Sequence, residues 1–248
     1  MFDLDLFEQM DEVRQVMGVC PQHDVLFELL TPEEHLDIFY DFKGGDPAKK
    51  QGEISKLIKD VGLTLDKDKQ AGSLSGGTRR KLSVSIALCG GSKLVLLDEP
   101  TSGMDLQARR SLWNMLRNYR RERIILLTTH YMDEADILGD RIGIMINGQL
   151  KCLGSSIFLK NRFSAGFKLN VIKKAAANEL IEPFLYRYFF SFVKTSEIGQ
   201  EATFLIPQKE QAALKAFFED FDRNLDRLEV KSYGVSNSSL EEVFLKIN

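Results

Sequence analysis

Cysteine is scarce in this chain: Cys20, Cys89 and Cys152 stand far apart, and no Cys-x-x-Cys pair occurs. That excludes a disulfide framework and a thiolate zinc site, and the three read as reduced thiols. Long apolar runs are missing too. The most apolar stretch, Pro183 to Val193, contains Arg187 and falls well short of the roughly 18–20 residues that cross a bilayer. The opening Met1-Phe2-Asp3-Leu4-Asp5 is acidic where a secretory signal is basic. The expectation is therefore a chain that by itself is neither secreted nor membrane-spanning. Nor does one charge dominate: 33 basic and 36 acidic residues leave a net charge of −3, which provides no field to draw the chain onto nucleic acid. A composition of 44% hydrophobic and 28% charged residues is that of an ordinary globular protein. The length suits one large α/β domain, or one domain with a smaller appendage.

One further absence matters most. The string Gly-x-x-x-x-Gly-Lys-Ser/Thr, whose backbone N–H groups cradle phosphates while its Lys supplies charge, occurs nowhere in the 248 residues. Gly90-Gly91-Ser92-Lys93 has the wrong spacing and precedes a strand instead of opening a helix. Yet other phosphate-handling pieces are present. Leu94 to Leu97 is an apolar run ending in Asp98-Glu99, which puts two carboxylates at the carboxyl edge of a sheet, where open α/β folds bind ligands. Asp98 there suits Mg²⁺ and Glu99 suits a base for an attacking water. Ser75-Gly76-Gly77 at a helix start offers a hydroxyl and unobstructed N–H groups to an anion. His130, after the apolar strand Ile124 to Thr129, can bond a phosphate, and Gln22 in a Pro-Gln-His loop can reach a metal or water. Each alone has an ordinary structural explanation: a strand end, a capped turn, a structural His, a loop Gln.

The coarse pattern supports an α/β layout. Thr31 N-caps a helix with Pro32 at its first position, and a second helix follows from about Ala48 to Val61. Ser75 caps a helix over 78–89, strands are expected at 94–97, 124–129 and 142–146, and helices at 105–119 and 132–138. Strands alternating with helices argue for a mainly parallel sheet. Asn147-Gly148 signals a hairpin. From Gly166 a second unit begins, with strands expected at 167–172, 202–206 and 228–233. Phenylalanine-rich helical stripes run over Ile181–Phe192 and Leu214–Leu225, and a last helix carries a capping box of Ser238 with Glu241. This makes a small α+β appendage of about 80 residues.

The motifs decide together what none decides alone. Gln22, Leu74-Ser75-Gly76-Gly77, Asp98-Glu99, Ser102-Gly103-Met104-Asp105 and His130 occur in the order of the Q-loop, signature, Walker B, D-loop and H-loop of an ABC ATPase. Cys20-Pro21-Gln22-His23-Asp24, the stretch from Leu97 to Asp105, and the run from Thr129 to Asp136 resemble the A subfamily of ABC transporters. Gly139-Asp140-Arg141-Ile142 and the run from Leu153 to Lys160 look closest to that family's first nucleotide-binding domain. Ser239 to Leu245 resembles the end of its C-terminal regulatory subdomain. The resemblance covers nearly the whole chain. It implies a partial, P-loop-NTPase-like cassette with a mainly parallel sheet and a helical subdomain over 1–160, and a ferredoxin-like α+β regulatory subdomain over 166–248.

By the same resemblance, two nucleotide-binding domains meet head to tail and use ATP and Mg²⁺. Gln22, Asp98, Glu99 and His130 then form the cis half-site, with Glu99 as base and Asp98 and Gln22 on the metal. Ser75, Gly76 and Gly77 act in trans on the partner's ATP, and Asp105 couples the two sites. Transmembrane domains lie on another part of the protein or another subunit, the location is the cytoplasmic face of a membrane, the cargo is lipid or sterol, and nucleic acid has no role. Thr78 stands where most signatures have Gln. Asp133-Glu134-Ala135-Asp136 spells a helicase box, but without a P-loop or basic track it carries no such meaning. The missing P-loop strand is central to the family's sheet, so Leu94–Leu97 and Ile124–Leu127 are expected to lack a neighbour. The chain is expected to be a fragment of a longer transporter and inactive alone. The rival expectation is a non-catalytic subunit that offers its signature to a partner's P-loop.

Overall fold

Three short apolar runs pair in parallel. Strands β1 (Met17–Cys20), β2 (Leu94–Asp98) and β3 (Ile124–Thr128) form one sheet in the order β1-β2-β3. This computed structural model describes residues 4, 5, 7–163, 166–175, 179–237 and 239–247. They divide into two compact units, 1–138 and 139–248. Among the described residues no helix is long and apolar enough to cross a membrane.

In the first unit, a helix that the sequence reading did not anticipate, α1 (Met10–Val16), leads directly into β1. Helix α2 (Pro32–Phe42) starts as expected: Thr31 Oγ1 accepts from Glu34 N at 3.2 Å, and Glu34 Oε2 accepts from Thr31 N at 2.7 Å, a full capping box. Helix α3 (Lys50–Val61) stops at Gly62, whose φ of +74° suits a residue without Cβ. Helix α4 (Gly76–Leu88) lies against β1 so closely that a Cβ on Gly18 would sit 1.8 Å from the Ala87 carbonyl oxygen. Its carboxyl end is closed by Lys43, whose Nζ donates to the carbonyls of Ile86, Ala87 and Cys89 at 3.0–3.2 Å. Helices α5 (Leu106–Tyr119) and α6 (Met132–Leu138) are joined by a buried bond from Trp113 Nε1 to Glu134 Oε1 at 2.8 Å.

The expected bare strands are half corrected. Strand β2 has β1 on one side and β3 on the other, and Val95 and Leu97 are buried. Among the described residues both outer strands keep an unpaired edge: in β3, Ile124 and Leu126 are 57% and 62% exposed, and in β1 Val19 is 48% exposed.

The second unit opens with the hairpin β4 (Ile142–Ile146) and β5 (Gln149–Gly154), turned at Asn147 and Gly148, both with positive φ as the Asn-Gly pair predicted. Helix α7 (Ser156–Phe163) packs with α10 (Leu240–Ile247). Between them run β6 (Phe167–Lys173), α8 (Ile181–Leu185), β7 (Val193–Ile198), β8 (Glu201–Ile206), α9 (Leu214–Arg223) and β9 (Val230–Asn237). The four strands are antiparallel in the order β7-β8-β6-β9, the ferredoxin-like βαββαβ arrangement. Phe184, Phe189, Phe204, Phe217 and Phe221 fill its core.

Three expectations change here. The stripe Ile181–Phe192 is helical only to Leu185. Strand β7 was not anticipated, and β9 runs from 230 to 237 instead of 228 to 233. Ser238 lies outside the described residues; Ser239 Oγ accepts from Glu242 N at 3.2 Å.

Candidate functional site

Strand β2 delivers Asp98 to the carboxyl edge of the sheet, and the next residue leaves the strand sharply. Glu99 has φ of +46°, a left-handed conformation that costs a non-glycine residue energy and marks functional turns. Its N–H donates to the Thr128 carbonyl at 3.1 Å and to Thr128 Oγ1 at 3.2 Å, so the end of β3 holds the turn. The Thr128 hydroxyl also donates to Asp98 Oδ1.

Two predicted partners converge on the Glu99 carboxylate. His130 Nδ1 lies 3.2 Å from Oε1, and Gln22 Nε2 lies 3.5 Å from Oε2. The group stays open to solvent: the His130 side chain is 54% exposed and that of Glu99 26%. A carboxylate with one imidazole and one amide at its oxygens can hold and orient a water as a base.

Asp98 is exposed beside this cluster. Among the described residues no group of three or more His, Cys, Asp or Glu side chains could hold a metal. A single carboxylate still fits Mg²⁺, which keeps several waters and is usually held by one or two carboxylates together with substrate phosphates. The amide nitrogen of Gln22 faces Glu99.

The remaining predicted residues sit at two helix starts. Ser75 Oγ caps α4, accepting from Thr78 N at 3.2 Å and lying 2.8 Å from Thr78 Oγ1. Gly76 and Gly77 form its first turn, with nothing within 4 Å of where a Cβ would stand, so the amino end is clear for an anion. Asp105 caps α5 by accepting from Ala108 N at 2.8 Å.

Sequence reasoning missed Arg80, Asp24 and Thr128. Arg80 Nη1 donates to the Pro21 carbonyl at 2.6 Å and lies 3.2 Å from Asp24 Oδ1, which also accepts from Ser83 Oγ at 2.8 Å. Helical phase gave no signal for Arg80, because α4 is buried all round from Leu82 to Leu88 and no one face marks the core.

The family described as ABC transporter matches residues 3–102. Over 244 residues the chain is 39% identical to the phospholipid-transporting ATPase ABCA3 of Rattus norvegicus, covering 98% of this chain and 14% of that protein. It is 38% identical over 284 residues to the retinal-specific phospholipid-transporting ATPase ABCA4 of Bos taurus, covering 98% of this chain and 12% of that protein. The chain thus spans a small part of the curated relatives it matches. A solved structure of an ATP binding subunit of an ABC transporter superposes with a TM-score of 0.60 at 25% identity, over 66% of this chain and 68% of that one. By these comparisons the chain belongs to the ABC transporters and is part of a nucleotide-binding domain of the A-subfamily type.

Proposed function

We propose that this chain serves as part of the ATP-driven cassette of an A-subfamily transporter that moves lipid across a membrane. Its main support is the convergence of Gln22 and His130 on the carboxylate of Glu99, beside Asp98. In this reading Glu99 polarises the attacking water, Gln22 and His130 hold its carboxylate, and Asp98, with Gln22, would hold Mg²⁺, which would supply positive charge against the nucleotide phosphates. Ser75, Gly76 and Gly77 present the amino end of α4 to ATP held by a second, head-to-tail nucleotide-binding domain, and Asp105 ties the two sites together. Residues 1–160 form the cassette part and 166–248 its regulatory part. Transmembrane domains complete the assembly at the cytoplasmic face, and nucleic acid takes no part. Lipid cargo is supported by the names of the relatives, phospholipid-transporting ATPases.

The test is ATP turnover by the transporter polypeptide that carries this chain. Glu99→Gln is expected to abolish turnover while leaving the fold intact, and unchanged turnover overturns the reading. A second reading is favoured by one observation, the lack of any Gly-x-x-x-x-Gly-Lys-Ser/Thr string in the 248 residues. Here the chain is a non-catalytic subunit whose signature closes over a partner's P-loop. The 248 residues alone are expected not to hydrolyse ATP. Under the second reading they co-sediment with a P-loop-bearing cassette only when ATP is present, and Ser75→Arg abolishes this; ATP-independent or absent co-sedimentation excludes it.

A further inference from the structure

Arg80 is 3% exposed, and all five N–H donors of its guanidinium are used. Nε donates to the Pro100 carbonyl at 3.2 Å, Nη1 to the Pro21 carbonyl at 2.6 Å and to Asp24 Oδ1 at 3.2 Å. Nη2 donates to the carbonyl of Glu99 at 3.0 Å and to that of Asp98. Three of these acceptors are consecutive carbonyls that bracket Glu99, the residue held at φ +46°. A fourth opens the loop that carries Gln22. One buried charge therefore braces the backbone on both sides of the Glu99 carboxylate.

Packing alone does not explain the arrangement. A guanidinium removed from water is costly, and among the described residues Asp24 is the one carboxylate paired with it; an apolar side chain fills a core at lower cost. What Arg uniquely supplies is a planar fork of five donors, which Lys with three cannot reproduce. The side chain also rides on α4, whose first turn is Gly76-Gly77.

We infer that Arg80 is a positioning residue that fixes the Glu99 main chain so that its carboxylate meets His130 and Gln22, and that it transmits displacement of the signature end of α4 to that carboxylate. The catalytic consequence rests on the ATPase reading above; the positioning does not.

The deciding measurement uses the 248-residue chain with ¹⁵N-labelled histidine. Only three histidines occur, and His35 is an internal control: its Nδ1 lies 2.8 Å from the Thr31 carbonyl, and its Nε2 accepts from Phe27 N at 2.9 Å, far from Arg80 in sequence. Arg80→Lys is expected to move the His130 Nδ1 resonance towards its position in Glu99→Gln while His35 stays in place. An unmoved His130, or His130 and His35 changing together, overturns the inference. Should Arg80→Lys fail to fold, Asp24→Asn replaces it, with a smaller shift of His130 in the same direction expected and no shift overturning the inference.

In the transporter assay, Arg80→Lys is expected to lower kcat at least tenfold with KM for ATP within twofold of wild type. Glu99→Gln abolishing turnover while Arg80→Lys leaves kcat intact refutes the transmission and spares the ATPase reading. Glu99→Gln without effect refutes that reading, and the His130 resonance then decides on Arg80 by itself.

Discussion

At the residue scale, the chemistry depends on small backbone facts as much as on charged side chains. Gly18 sits in β1, directly beneath the end of α4, and no side chain fits there: a Cβ would meet the Ala87 carbonyl oxygen at 1.8 Å and its carbon at 2.7 Å. Both contacts are backbone atoms, so no rotamer change relieves them. Gly18→Ala is expected to destabilise the first unit by about 1–3 kcal/mol or more, the range for overpacking a filled interior, read as a lowered denaturation midpoint. A midpoint unchanged from wild type would show that α4 can lift off β1 freely. Because β1 leads into the Gln22 loop and α4 carries Arg80, the same variant tests how tightly the site's two supports are joined. Much of the site was legible at this scale: Gln22, Glu99 and His130 were marked by order and residue type, and they do meet. Arg80 was not marked, since four of its five acceptors are main-chain carbonyls, which every sequence has. The left-handed turn at Glu99 was hidden for the same reason.

At the scale of elements, periodicity identified buried segments and failed at edges. The stripe Ile181–Phe192 has helical spacing, yet the helix ends at Leu185, and Phe189 and Phe192 reach the core from the following turns, against Phe217 and Phe204. Spacing reports which residues are covered, not which backbone covers them. Strand β7 gave no signal at all because all six of its residues are exposed, so neither alternation nor an apolar run marks it. It is fastened by backbone bonds to β8 and by charge. Glu197 meets both Lys173 and Lys194, and Lys194 also reaches Glu182 at 2.6 Å. The bonds from Lys173 and then Lys194 hold the Glu197 carboxyl down to about 2, from an ordinary 4.5. A carboxyl lowered on folding contributes stability above its unfolded value and loses it as pH falls through the folded one. Strand β7 is therefore expected to loosen between about pH 4.5 and pH 2, seen as faster amide hydrogen exchange over 193–198 after correction for intrinsic rates. Glu197→Gln is expected to remove that pH dependence, and protection that stays flat across this window in the wild type refutes the account.

At the scale of the whole molecule, two separate hydrophobic cores stand out among the described residues. One gathers Leu36, Leu82, Val95, Leu97 and Leu112 within residues 1–138, and the other gathers Leu169, Phe204, Phe217 and Phe221 within 139–248. The sequence has a single tryptophan, Trp113, buried in the first unit and bonded to Glu134. Its fluorescence reports that unit alone, whereas circular dichroism reports both. Phe217 is fully buried and touches Phe184, Phe189 and Phe221, so Phe217→Ala is expected to cost the second core about 3–5 kcal/mol. If each core is its own cooperative unit, the variant shifts part of the dichroism transition to lower denaturant and leaves the tryptophan transition where it was. Trp113 fluorescence moving in step with the dichroism would mean that the two cores unfold as one, and that a perturbation in the ferredoxin-like unit is felt energetically at the Glu99 site.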